Sequence, residues 1–418
     1  MTNVIIVGGG IAGCVTAGLL AKQGIKVDLI ERQLNRISNT ISSAIFFPDS
    51  MEIFDEINFG KILDEYNFPK IKYISFEFQK NIRISGYIPM YKGRNWAYAI
   101  QRKTIDRLLL NHIKECKNIT LHQGVVENVI WQNNKVSGVK MRLAGSTRAI
   151  EMNSSYVIGA DGKFSSISNA VEAPLYHQSV AKTCVYYAYF LNVKPFLSDP
   201  SFISYHGTDP FKFHGFTQDS DEGLTCVGIE APIKNFNLIR KNPEKYLLEC
   251  INNIPDLKSR MRNAQRATAV VGIRIPGMYY KQPYGDGWLL VGDSGLLMDP
   301  ITGQGFNNAT HSAKLIDEAF KKLHATRNWK GTFEEYKRQR DKFTRNNFNR
   351  AVQASDIEEP LPDWIANWYS WISNNHKQNE LMVKMLTNNI PPEAFFTRRR
   401  LLWAYISFGL LPQYFLGK

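Results

Sequence analysis

A carboxylate at the end of an apolar run can hold a sugar-like hydroxyl, and Asp293 sits in such a place, just after WLLVG. The stretch that contains it, residues 292–307 (GDSGLLMDPITGQGFN), adds a turn at Asp299-Pro300 and the glycines Gly303 and Gly305. A helical pattern follows, FNNATHSAKLIDEAFKKL. A glycine-flanked helix start exposes unpaired N–H groups and the positive end of the helix dipole. Gly303, Gly305, Phe306 and Asn307 are therefore placed to meet developing negative charge, with Pro300 close by.

A second set of chemically capable residues lies at the N-terminus. Residues 3–31, NVIIVGGGIAGCVTAGLLAKQGIKVDLIE, carry Gly8, Gly10 and Gly13 in GxGxxG spacing around Ile11 and Ala12. A buried-strand run precedes them, a helical pattern follows, and a second strand ends in Glu31. In that context Gly8 allows a tight turn, Gly10 lets backbone approach a pyrophosphate, and Gly13 lets helix pack on strand. Glu31 can accept from a ribose 2′-hydroxyl and disfavours a 2′-phosphate, so FAD or NAD is expected rather than NADP. A third acid, Asp161, ends the strand-like VIGADG. Alone it reads equally well as an ordinary strand exit.

The elements that must position these residues are legible from periodicity. SMEIFDEI and GKILDEY predict helices, and residues 72–89 a strand pair. The run from Ala99 predicts an amphipathic helix with Ile105, Leu108, Leu109 and Ile113 inward. Residues 118–143 read as strands joined by an Asn-Asn turn, and RAIEMNSSYVIGADG as two more. Between Tyr176 and Tyr279 come long aromatic strands, TCVYYAYFLNV, SFISYHGT, FKFHGFTQ and LTCVGIEAPI, which predict a separate, mostly antiparallel sheet with helical cover. Its tyrosines and phenylalanines fit core packing or the wall of an apolar pocket. Residues 332–356 predict a charged, solvated helix. Trp364, Trp368 and Trp371 share one helix face, which suits docking onto a core. The tail from Arg398, RRRLLWAYISFGLLPQYFLGK, caps the second sheet in the preferred reading and lies on a membrane surface in the other.

The 418 residues suffice for two or three domains, and a 44% hydrophobic content supports a sizeable core. A net charge of +13 invites a nucleic-acid reading, but no nucleic-acid module accompanies it. Solubility, an anionic ligand or an anionic membrane face accounts for it instead. Cys14, Cys116, Cys184, Cys226 and Cys250 are scattered, with no disulfide or zinc spacing. No metal site is expected, and a cytoplasmic location fits. No run approaches the roughly 20 apolar residues that span a bilayer.

With the glycine fingerprint, GADG and GD…DPxxGQG in order, the chain resembles FAD-dependent monooxygenases of the para-hydroxybenzoate hydroxylase fold. It is also similar to geranylgeranyl-reductase-like and halogenase-like flavoproteins. The resemblance covers residues 1 to about 345. It implies an α/β fold: a Rossmann-like FAD-binding domain (GR2 type), an antiparallel β-sheet substrate domain and a helical C-terminal region. The corresponding boundaries are 1–75, 99–175 and 280–345 for the first, 76–98 and 176–279 for the second, and 346–418 for the third. The resemblance further places Gly8, Gly10 and Gly13 at the pyrophosphate, Glu31 at the adenosine ribose and Arg32 beside the adenine. Gln101 would touch the phosphate–ribityl portion, Val126 the adenine through its backbone, and Asp293 the ribityl and pyrophosphate. Pro300 would lie near the flavin ring, with Gly303 to Asn307 around its pyrimidine end. Asp161 belongs to a motif tied to FAD and NAD(P)H handling.

Two departures bear on the electron donor. Ser168 stands where many hydroxylases have an Arg, and residues 38–47, SNTISSAIFF, lack the usual loop arginine. The Trp-x-Trp-x-Ile-Pro signature of flavin halogenases is absent. No second GxGxxG provides a dedicated NAD(P)H domain.

The activity implied is FAD-dependent oxygenation of an apolar, aromatic or polycyclic small molecule through a flavin C4a-hydroperoxide. NAD(P)H would be the electron donor, directly or through a flavin reductase. His206 and His214 on neighbouring strands, and Tyr187 and Tyr189 on one strand face, are the candidates for acid–base work on substrate. An isolated histidine on an apolar sheet is otherwise structural. The alternatives are an FAD-dependent reductase or dehydrogenase of a lipophilic unsaturated substrate, favoured if the tail binds anionic vesicles, and a non-catalytic FAD-holding pathway protein.

Overall fold

Apolar strands with both faces covered form the middle of the first sheet, as expected for parallel βα architecture. In the computed structural model, which describes residues 2–34 and 42–410, Asn3–Val7 pairs in parallel with Lys26–Glu31 and with Tyr156–Gly159. Trp288–Leu290 and Ile119–Gln132 extend the parallel set on either side. Ile119–Gln132 then turns antiparallel through Lys135–Leu143 to Ala149–Asn153, completing an eight-stranded sheet. The Asn133-Asn134 turn has both residues at positive φ (50° and 61°), the conformation asparagine tolerates in tight hairpins. Helix Ile11–Lys22 is buried nearly all round, between the sheet and helix Gly305–Thr326.

The second sheet runs Gln265–Arg266, Thr183–Leu191, Thr225–Pro232, Phe213–Asp219, Ser201–Gly207, Tyr73–Phe78, Ile82–Tyr87, with Val271–Arg274 also on Thr183–Leu191. All pairings are antiparallel except that of Ser201–Gly207 with Tyr73–Phe78. Strand alternation divides its aromatics. Tyr186, Tyr205 and Phe213 pack with Leu247, Cys250 and Leu257 of the covering helices. Tyr187, Tyr189 and Phe216 form a cluster on the other face. A third, three-stranded sheet of Leu175–Ser179, Met278–Lys281 and Leu296–Leu297 was not anticipated; its strands are short and two of them come from the expected domain borders.

The helices from Asp363 onward close the remaining side. Trp368 is 1% exposed and packs with Ile74 and Ile84 of the second sheet and Met382 and Phe395 of neighbouring helices, so the tryptophan face does dock on a core. The expectation of a solvated helix at 332–356 is corrected. Helix Trp329–Ala354 buries Phe333, Tyr336, Arg340, Phe348 and Ala351, because apolar residues at helical spacing lie hidden among its charges. The α/β core, antiparallel second sheet and helical C-terminal region thus form the predicted fold class. No described helix is long and apolar enough to cross a membrane. Part of the 38–47 loop and the last tail residues, 411–418, lie outside the described residues.

Candidate FAD and substrate site

One cavity of about 1920 Å³ runs from the glycine loop to the second sheet and on to the C-terminal helices. At its first end, Gly8 has φ +107°, and a Cβ there would lie 2.5 Å from the carbonyl oxygen of Ala160. At Gly13 a Cβ would lie 1.9 Å from the carbonyl oxygen of Gly8, so only glycine lets this helix sit so close. Gly10, by contrast, faces open space and caps helix Ile11–Lys22. This is a cradle for an anionic group: open backbone at a helix N-terminus with both tight contacts behind it.

Glu31 is 3% exposed and braces that loop. Its carboxylate accepts from the backbone N–H of Gly9 at 2.7 Å and of Gln33 at 3.0 Å. Arg32, exposed, and Val126 complete this end of the lining together with Ile11 and Ala12.

Asp293 lies in a tight turn, Gly292–Ser294, anchored by Ser294, whose hydroxyl donates to the carbonyl oxygen of Gly159 at 2.6 Å. Burial pushes the Asp293 carboxyl up to about 6, opposed by the nearby cations Arg102 and Lys163. Its carboxylate has no hydrogen-bond partner among the described residues and faces the cavity, as an acceptor for polyol hydroxyls must. Beyond it Asp299 accepts from the Thr183 hydroxyl at 2.7 Å and from the Ile301 N–H at 3.2 Å. That bond ties the Pro300–Thr302 turn to the second sheet. Gly303, at φ +65°, and Gly305 then leave the start of helix Gly305–Thr326 open to the cavity. The Phe306 ring turns away and stacks on Phe46 at 4.6 Å. The residues present fit FAD: an open glycine cradle, an unpaired acid and an open helix start follow one another along one cavity.

Several expected site residues lie elsewhere. Gly13 is packed behind the loop. Asn307 is turned inward, donating to Gln304 at 3.0 Å. Gln101 is buried off the lining, its backbone N–H donating to Asp221 at 2.9 Å and its amide reaching Glu222 at 3.4 Å. Its neighbour Arg102 faces the cavity instead, held by Asp106 through two bonds of 3.0 and 3.1 Å. Asp161 lines the cavity but is largely occupied in capping helix Ser166–Ala170, accepting from the Ser166 N–H at 2.7 Å and the Ile167 N–H at 3.2 Å. At Ser168, where an arginine was expected, Lys281 of the third sheet donates to the hydroxyl at 2.8 Å and brings a cation there from another strand.

On the second sheet, His214 and Tyr187 face the cavity, while His206 and Tyr189 are outside the lining. His206 and His214 have ring centroids 5.6 Å apart. Burial, then His206, lowers His214 to about 4, so it is neutral at pH 7. Burial raises the Tyr187 and Tyr189 phenols, which therefore stay protonated. Among the cavity groups that escaped the sequence reading are Lys163, Glu230 and Arg350. Glu230 is 8% exposed, and burial, followed by the charge of Asp299, raises its carboxyl well above the usual range. Glu230 is placed by cross-strand register opposite His214, and nothing local in the sequence marks any of the three.

Comparison with known proteins agrees with this geometry. The profile of the FAD binding domain family matches residues 1–351. Among curated relatives, digeranylgeranylglycerophospholipid reductase 2 of Methanothermobacter thermautotrophicus is 26% identical over 317 residues, covering 76% of this chain and 77% of its own. Among solved structures, a flavoprotein/dehydrogenase from Cytophaga hutchinsonii superposes with a TM-score of 0.79 at 17% identity, over 98% of this chain and 100% of the other. The myxobacterial chondrochloren halogenase, an FAD-dependent halogenase, gives 0.77 at 20% identity, over 97% and 96%. The chain belongs to the FAD binding domain family, with the fold of the para-hydroxybenzoate hydroxylase-type flavoproteins.

Proposed function

We propose that the protein is an FAD-dependent monooxygenase acting on an apolar, aromatic or polycyclic small molecule. The observation that carries this reading is the single cavity, continuous from the glycine cradle to the aromatic face of the second sheet. Its volume of about 1920 Å³ exceeds the roughly 300–1,000 Å³ of a one-ligand pocket, so cofactor and substrate fit side by side. Bound FAD, once reduced by NAD(P)H directly or through a flavin reductase, supplies electrons and activates dioxygen.

The chain's own residues supply position and field. Asp293 holds polyol hydroxyls, and the amides at Gly305 and Phe306 stabilise negative charge on the pyrimidine edge. Tyr187, Phe216 and Phe202 wall off water on the sheet side. Neutral His214 can accept a substrate hydroxyl proton at its unprotonated ring nitrogen, and Glu230 can return one.

A second reading, an FAD-dependent reductase of a lipophilic unsaturated substrate, is favoured by the curated relative named a digeranylgeranylglycerophospholipid reductase. Dioxygen separates the two. The FAD-loaded chain, photoreduced without air and given 1-naphthol and geranylgeraniol as probes, should convert the aromatic probe only after dioxygen is admitted. Anaerobic saturation of geranylgeraniol would replace the monooxygenase reading with the reductase one.

A further inference from the structure

Arg350 lies near the C-terminal end of helix Trp329–Ala354, half-buried, and lines the cavity on its helical side. Trp364, Trp368, Tyr369 and Met385 of the C-terminal helices line the same cavity. Among the described residues, the Arg350 guanidinium makes one hydrogen bond, to the side-chain oxygen of Asn347 at 3.5 Å, the limit of such a contact. No carboxylate of the described residues comes within ion-pair distance of it.

The contrast with Arg340 on the same helix is instructive. Arg340 is 2% exposed but holds Asp341 at 2.9 Å, the Tyr176 hydroxyl at 2.7 Å and the Lys281 carbonyl oxygen at 3.1 Å. Two acids of the lining on the helical side are engaged otherwise: Asp356 with Lys182, and Glu393 with Asn346 at 2.7 Å. A guanidinium that faces an apolar cavity with five donors and one marginal protein acceptor is left with its fork free for an anionic partner.

The cofactor's diphosphate does not fill that need. The cations beside Asp293 are Arg102 and Lys163, whereas Arg350 lies one helical turn beyond Asn346, which donates to Glu393 of the C-terminal helical region at 2.7 Å. We propose that Arg350 anchors an anionic group, a carboxylate or a phosphate ester, at one end of an otherwise apolar substrate. The guanidinium fork takes two oxygens of that group while the apolar body extends along Trp368 and the aromatic sheet face. This rests on the reading of the cavity as a substrate site and narrows it to amphiphilic anions.

The test uses the full FAD-loaded chain with decyl phosphate, decanoate and decanol, below micelle-forming concentrations. Binding is read from perturbation of the flavin absorbance and the tryptophan fluorescence. At least one anion should bind about tenfold or more tightly than decanol. R350Q should abolish that preference while binding FAD as the parent does, and R350K should keep part of it. Stronger binding of decyl phosphate than of decanoate assigns a phosphate ester, and the reverse a carboxylate. Equal binding of all three probes by the parent chain overturns the proposal without any variant. An anion preference that survives in R350Q also overturns it. Loss of FAD from R350Q would show that Arg350 serves the cofactor, which leaves the flavoprotein reading intact and removes this one.

Discussion

His214 and Glu230 stand directly opposite each other on adjacent antiparallel strands, both facing the cavity and neither side chain hydrogen-bonded to another described residue. Directly opposed side chains are within about 5.5 Å at Cβ. Their protonation responds to burial in opposite senses, which makes the pair visible in the pH dependence of stability.

Glu230 keeps its proton in the folded chain at pH values where the unfolded chain has lost it, so stability falls as pH rises above the ordinary value of 4.5. E230Q should match the parent near about pH 4.5 and melt about 2 °C higher near about pH 8. His214 does the reverse. Its value drops from 6.5 to about 4 on folding, so stability is lost as pH falls through that window. H214Q should flatten that acid limb. Melting curves across the pH range check both slopes.

Asp293 ties cofactor affinity to pH. Hydroxyl donors favour its ionised form, while burial holds its carboxyl up at about 6. FAD affinity should therefore decline as pH falls through about 6, by up to about tenfold per unit. D293N should weaken FAD about 10- to 100-fold near neutral pH and remove the pH dependence. Equilibrium dialysis of FAD against parent and variant measures both effects.

Two glycines of the same loop should behave differently. G13A forces a methyl to 1.9 Å from a backbone oxygen and should destabilise the chain by about 1–3 kcal/mol whether or not FAD is present. G10A meets nothing within 4 Å and should cost no more than about 1 kcal/mol of stability, while weakening FAD about tenfold or more. Urea unfolding of the FAD-free proteins, paired with FAD titration, separates packing from ligand approach.

Arg340 fastens helix Trp329–Ala354 to the third sheet through Tyr176, Lys281 and Gly295. R340M leaves Asp341 without its guanidinium partner and should cost about 3–5 kcal/mol. Y176F removes one hydroxyl and should cost about 1–2 kcal/mol. Urea denaturation ranks the two.

The glycine loop, the Asn133-Asn134 hairpin and the alternating aromatic strands were legible because each rule behind them is local: a φ, a turn, a period of two. Long-range pairings were not. The Arg340 network joins residues from three distant segments, and two of the charges that make its helix read as solvated, Arg340 and Asp341, are buried in it. Gln101 and Arg102 show the limit at one-residue scale. The dipeptide was recognised, but the bond of Gln101 to Asp221 turns it inward and hands the cavity to its neighbour. Glu230 was silent for a related reason, since a lone acid in a strand acquires meaning only from the face it shares with His214.

The central claim is that reduced flavin delivers oxygen into a substrate held between the aromatic sheet face and the C-terminal helices. A single turnover of the photoreduced, FAD-loaded chain with isotopically labelled dioxygen and 1-naphthol tests it most directly. The account predicts one labelled oxygen atom in the organic product, in an amount approaching that of the flavin. All of the label in peroxide and water, with the probe unchanged and geranylgeraniol gaining two hydrogens in the parallel anaerobic turnover, would contradict it.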